Sequence, residues 1–194
     1  MGLFRIISAS AYKGTRDYLD TQRIYECIRT ILMFSISLSI LAIGFLTTHT
    51  RLNLLTIVAV LGCLPASKSL VSLIMFCRFR SLKAPLADEF ADHQGELCGA
   101  YDMVFTTNDK CYQIDHLVVK GNSICGYSKQ KDFSEQAFQA HILPILKKDS
   151  FSNVIFKVFS DPVKYVERLD QLKVLSCDEK NTNGIMETLK SVSL

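Results

Sequence analysis

The chain has 194 residues, 48% of them hydrophobic, with 22 Lys/Arg against 19 Asp/Glu and seven cysteines. That length holds a membrane segment and one compact domain of ordinary size, and it excludes a third module. The net charge of +3 hides an asymmetry: residues 1–82 carry nine Lys/Arg and three Asp/Glu, and residues 83–194 carry thirteen and sixteen. The excess of acids in the C-terminal part argues against nucleic acid as a partner, because phosphate-backbone binding needs a positive footprint.

Residues 1–29 read as an amphipathic, interfacial segment, mixing tyrosines with basic residues from Tyr12 to Arg29. A helix at the headgroup level and a soluble helix packed on the C-terminal domain both fit that composition. Two apolar runs follow, Ile31–Leu46 and Leu54–Phe76. With its flanks each is long enough to cross a ~30 Å hydrocarbon core. Residues 30–82 are therefore expected to form a two-helix transmembrane hairpin with spans at about 31–48 and 54–76. The first run starts too far into the chain, and is followed too closely by the second, for a cleaved signal peptide.

Arg5, Lys13, Arg16, Arg23 and Arg29 precede the hairpin and Arg78, Arg80 and Lys83 follow it, while the connecting loop carries only Arg51. This bias predicts a multi-pass protein of the cell membrane with both termini and the C-terminal domain in the cytoplasm. Ser35 and Ser39 in the first span, and Ala59, Cys63 and Ala66 in the second, put small side chains at helical spacing. They suit either the hairpin seam or a contact between copies. Pro65 removes a backbone donor from the second span, and Lys68 follows it. Such a lysine either snorkels to the interface or serves an ion path or a partner contact.

Residues 83–194 read as a small cytoplasmic α/β domain in the order α-β-β-β-α-β-α, a mixed sheet with flanking helices. A helix is expected over 85–98, with strands at 101–107, 112–119 and 123–128 separated by the turn pairs Asn108-Asp109 and Gly121-Asn122. Asp132 to Glu135 has capping-box spacing, and the apolar period from Phe138 to Leu146 marks a helix that Pro144 should bend or end early. Residues 153–160 are apolar on both faces, as an interior strand would be. Asp161-Pro162 starts a helix to about Leu172, and a last strand at 173–177 and a short helix at 184–192 close the chain.

The stretch Tyr112-Gln113-Ile114-Asp115-His116-Leu117-Val118-Val119, followed by Gly121 to Lys129, resembles the core of the nuclease-related domains. These are members of the restriction-endonuclease-like superfamily, and the similarity runs from about Gly95 to Leu172. It places Asp115 on the family's metal-binding aspartate and Lys129 on its catalytic lysine. The position two before the lysine, an acid in active members, is Tyr127. Gly95-Glu96 resembles an early Gly-Glu pair of the family but stands at the end of its helix instead of the beginning.

Phosphodiester hydrolysis by this architecture needs two acids converging on Mg²⁺, with the lysine assisting. One carboxylate binds such an ion weakly and a phenol does not replace the other. The expectation is an inactive relative with no cofactor, a membrane-anchored protein-binding or scaffolding module. Its partners would be a protein or further copies of itself through the hairpin, with the lipid bilayer around them.

Two alternatives remain. One is a membrane-tethered, Mg²⁺-dependent nuclease in which Asp115 and Lys129 act with an acid from elsewhere, such as Glu96. The other is an oligomeric channel or transporter accessory subunit with Lys68 in its interior. The histidines His49, His93, His116 and His141 are isolated in sequence, and His116, beside Asp115, is either half of an acid/base pair or a half-exposed strand residue. The cysteines show no metal-ligand spacing and read as small apolar fillers.

Overall fold

The computed structural model describes residues 13–48, 54–107, 110–174 and 179–194. Asn108-Asp109, residues 49–53 and 175–178, and the chain before Lys13 lie outside them. Among the described residues, contacts divide the chain into two units, one within 19–80 and the other within 13–18 and 81–194.

The first unit contains α1 (Tyr18–Thr48) and α2 (Leu54–Cys77), both long and apolar enough to cross a bilayer. The seam between them is polar and small. In α1 the buried positions include Glu26, Thr30 and Ser37, and in α2 Ala59, Ala66 and Ser69. Gly62 marks the closest approach, because a Cβ added there would lie 2.7 Å from Ser37 Oγ. Of the small residues at helical spacing, Ala59 and Ala66 are buried, whereas Ser35, Ser39 and Cys63 are exposed. The reason is local: the Ser39 hydroxyl donates to the Ser35 carbonyl at 2.7 Å, so its polarity is met inside its own helix. Pro65 also faces outward, within a helix that runs on to Cys77.

The second unit is a three-layer α/β domain following the expected order. The helix α3 (Ala84–Gln94) leads into the antiparallel strands β1 (Cys98–Thr106), β2 (Cys111–Lys120) and β3 (Ser123–Tyr127). The helix α4 (Glu135–Lys148) then crosses over to β4 (Ile155–Phe159), which pairs parallel to β3. Helices α5 (Pro162–Val174) and α6 (Glu179–Val192) complete it, and the strand order is β1-β2-β3-β4. A helical crossover between parallel neighbours is the connection such a pair requires. Phe90, Tyr165, Leu169 and Leu172 of α3 and α5 fill one face, and Phe138, Ile142, Leu146, Ile185 and Leu189 of α4 and α6 fill the other.

Several local expectations are revised. The cap of α4 is Ser134, whose hydroxyl accepts the Ala137 N–H, not Asp132. Pro144 is accommodated and α4 runs on to Lys148. β4 is an edge strand, not an interior one, and leaves Ile155 68% exposed. Residues 173–174 continue α5 instead of starting a strand, and the closing helix begins at Glu179. Asp161 caps α5 as read, its carboxylate accepting the Val163 N–H at 3.1 Å. Of the described cysteines only Cys125 is buried, and Cys63 and Cys77 are exposed, so filling the core is the role of one of them.

The other edge of the sheet is covered by the chain's own ends. Gly14 O accepts the Tyr101 N–H at 2.9 Å, Val104 O accepts the Leu194 N–H at 2.9 Å, and Lys13 Nζ reaches Ser193 O at 2.7 Å. Gly14 has φ +81°, and a Cβ on it would stand 2.9 Å from that of Ala100. Only glycine lets the strap lie this close to β1. Lys13 to Tyr18, read from the sequence with the interfacial segment, thus packs on the α/β domain.

Candidate functional site

The residues singled out by the sequence meet where β2 passes the end of β3. β1 and β2 pair Tyr101 with His116 and Met103 with Ile114, which sets Asp102 opposite Asp115. The facing pattern slips at that level in both strands. Ala100, Leu117 and Val119 lie in the core on the α4/α6 side, but so do Met103, Phe105, Tyr112 and Ile114, while Tyr101 and His116 lie on the other side. A regular strand alternates faces without such a break. Asp102 absorbs it with φ +54°, a left-handed conformation that Asp adopts more readily than most residues.

Asp115 is fully buried, and both of its carboxylate oxygens are occupied. Oδ1 accepts from Gln113 Nε2 at 2.9 Å and stands 3.0 Å from Lys129 Nζ, and Oδ2 accepts the Lys129 backbone N–H at 2.8 Å. Burial pushes the Asp115 carboxyl upward, while the Lys129 N–H, the Lys129 charge and Gln113 pull it back. The Lys129 ammonium, 43% exposed, also reaches Ser81 O at 3.3 Å.

Beyond β3 the chain stays on β2 through side chains. Ser128 Oγ donates to Gln113 O at 2.6 Å, the Gln113 N–H donates to Gln130 Oε1 at 3.0 Å, and Gln130 Nε2 donates to Cys111 O at 3.2 Å. The Gln130 amide thereby stands in for a strand residue, supplying one donor and one acceptor.

Asp102 is the acid that the sequence reading passed over. Its Oδ1 accepts the Leu82 N–H at 3.1 Å, and its Oδ2 is buried without a hydrogen-bond partner among the described residues. Burial raises its pKa to about 6, with Ser81 and the Leu82 N–H opposing and the Asp115 charge adding to the rise. A carboxylate in the middle of the apolar run Tyr101 to Phe105 was the available signal, because an acid inside a buried strand needs a reason.

Glu96 does not join this cluster. It is exposed in the turn between α3 and β1, and among the described residues it makes no hydrogen bond or ion pair with Asp115 or Lys129. The described residues contain no group of three or more His, Cys, Asp or Glu side chains arranged to hold a metal ion. Tyr127 is 6% exposed and belongs to an aromatic cluster, with ring centroids 5.0 Å from Phe90 and 5.8 Å from Tyr165. Lys68, in the first unit, is exposed on the outward side of α2.

His116 is fully buried, not half-exposed, and both of its ring nitrogens are engaged by residues other than Asp115. Its Nε2 lies 3.0 Å from Gln94 Oε1 and its Nδ1 2.8 Å from Tyr165 Oη. Gln94 spends its own amide protons on Leu97 O, so its Oε1 accepts from His116 Nε2–H. The Tyr165 hydroxyl must then donate to Nδ1. Burial holds His116 neutral, with a pKa of about 3. Replacing Tyr165 with Phe removes the donor and leaves Nδ1 buried and unpaired, which should cost about 1–3 kcal/mol in the thermal unfolding of the full chain.

The chain matches no protein-family model, no curated protein and no solved structure.

Proposed function

We propose that this is a two-span membrane protein whose cytoplasmic α/β domain is a catalytically inactive relative of the nuclease-related fold and serves as a protein-binding or scaffolding module. The observation that carries the reading is the occupancy of Asp115. A divalent cation would have to displace Lys129 Nζ or Gln113 from Oδ1, or the Lys129 N–H from Oδ2. In this arrangement Asp115 ties the end of β3 onto β2. The aromatic packing of Tyr127, where an active relative carries an acid, supports the same reading. The cytoplasmic placement rests on the basic flanks of the two spans.

The test is to incubate the full chain, purified in mild detergent, with plasmid DNA and with RNA in Mg²⁺ or Mn²⁺. No cleavage is expected, and a defined set of proteins should copurify with the intact chain. The second reading, a metal-dependent nuclease, is favoured by one feature, the placement of Asp102 opposite Asp115 with a carboxylate oxygen unpaired. Metal-dependent cleavage that disappears in Asp102→Asn would establish it and remove the first. Digestion of the C-terminal half by protease added to intact cells would overturn the topology.

A further inference from the structure

We propose that Lys68 and Arg29 together bind the phosphate of an anionic phospholipid at the side of the hairpin, an inference that rests on the membrane-spanning reading above. The register of the two helices leads to it. Gly62 and Ser37 meet at the seam. Seven residues toward the α1 N-terminus from Ser37 is Thr30, and seven residues toward the α2 C-terminus from Gly62 is Ser69. Seven residues are two turns to within about 20° and about 10 Å of rise. Thr30 and Ser69 therefore face each other two turns below the Ser37–Gly62 contact, in agreement with their burial at 5% and 2% exposure.

Arg29 immediately precedes Thr30 and Lys68 immediately precedes Ser69. In antiparallel helices, one backward step of about 100° from a facing pair turns both side chains to the same flank of the hairpin. Their levels differ by two residues, about 3 Å, and helix axes at such a seam lie roughly 8–10 Å apart. Both side chains are exposed, and both are long enough to reach a common group between them.

The charge on this flank is unbalanced. Arg29 has Glu26 3.6 Å away, and Lys68 has no ion-pair or hydrogen-bond partner among the described residues. The apolar run of α1 begins at Ile31, so on the register Lys68 lies at the depth where α1 leaves hydrocarbon for headgroups. At that depth the long side chain carries its ammonium into the headgroup layer, and the anion abundant there is a lipid phosphate. Basic residues between neighbouring helices on the cytoplasmic side are suited to such headgroups.

The experiment uses the full chain purified in mild detergent, incubated with phosphatidylglycerol or phosphatidylcholine and read by native mass spectrometry for retained lipid. The wild type should retain phosphatidylglycerol over phosphatidylcholine. Lys68→Leu and Arg29→Gln should each lower that preference about fivefold, as expected for removing one surface-active positive charge, and Lys68→Arg should keep it. An undiminished preference in Lys68→Leu, an equal retention of the two lipids by the wild type, or displacement of the lipid by inorganic phosphate at the same concentration would overturn the site. Alkaline carbonate extraction reports separately on the spans. A chain that resists extraction but shows no lipid selection loses only the lipid site, and one that washes off membranes loses the spanning reading.

Discussion

Asp115→Ala should lower the stability of the full chain by roughly 3–5 kcal/mol, because the Lys129 N–H and the Gln113 amide each lose their acceptor and a buried volume is left empty. The bonds at stake are those at 2.8 and 2.9 Å, in a place where the native carboxylate is fully buried. Lys129→Ala should cost far less, about 1 kcal/mol, since that side chain is 43% exposed and Asp115 keeps its two other donors. Thermal unfolding in mild detergent separates the two variants. Asp115 and Lys129 variants that melt like the wild type would mean that the pair is not structural, and would weaken the inactive reading.

Asp102→Asn should change the pH dependence of stability by about 3 kcal/mol. Asp102 titrates near pH 6 in the fold against an ordinary 3.8, so the folded state holds its proton more tightly. Its contribution is largest below pH 4 and is lost as the pH rises through 6. About two pH units of displacement correspond to about 3 kcal/mol. His116 acts in the opposite sense: with a folded value of about 3 against 6.5, its stability is intact above pH 6.5 and declines as the pH falls. Between about pH 4 and pH 6 the two slopes oppose each other in the wild type.

Asparagine fits the left-handed backbone at this position and carries no charge to bury. The variant should gain on the wild type by about 3 kcal/mol between pH 4 and pH 7. It should also lose stability more steeply than the wild type on acidification, since the Asp102 slope that opposed that of His116 is gone. Melting profiles measured from pH 4 to pH 8 decide this, and parallel profiles for the two proteins would contradict it.

What was legible in the chain was whatever depends on near neighbours. A predominantly apolar run of sixteen or more residues marks a helix long enough to cross a membrane whatever it packs against, and Gly121-Asn122 and Asp161-Pro162 fix a turn and a helix start by their own backbone preferences. Asp115 and Lys129 stood out through the resemblance of the stretch from Tyr112 to Lys129 to the nuclease-related core, a pattern carried by neighbouring residues. The order of elements followed from the same local signals.

The tertiary structure alone decided which of these residues meet. Asp102 entered the site because the β1–β2 register sets it against Asp115, and Glu96 stayed out because its turn is spent on leaving α3. The seam fell on Ser37 and Gly62 instead of Ser35 and Cys63, because a helix face is chosen by its partner and spacing identifies only the candidates. Lys13 to Tyr18 crossed to the far end of the chain to cover β1, an unpaired edge that the sequence does not reveal until the strand order is known. Hydrophobic length and turn chemistry act over a few residues, whereas register, edge and depth are properties of pairs distant in sequence, fixed only when the whole core closes.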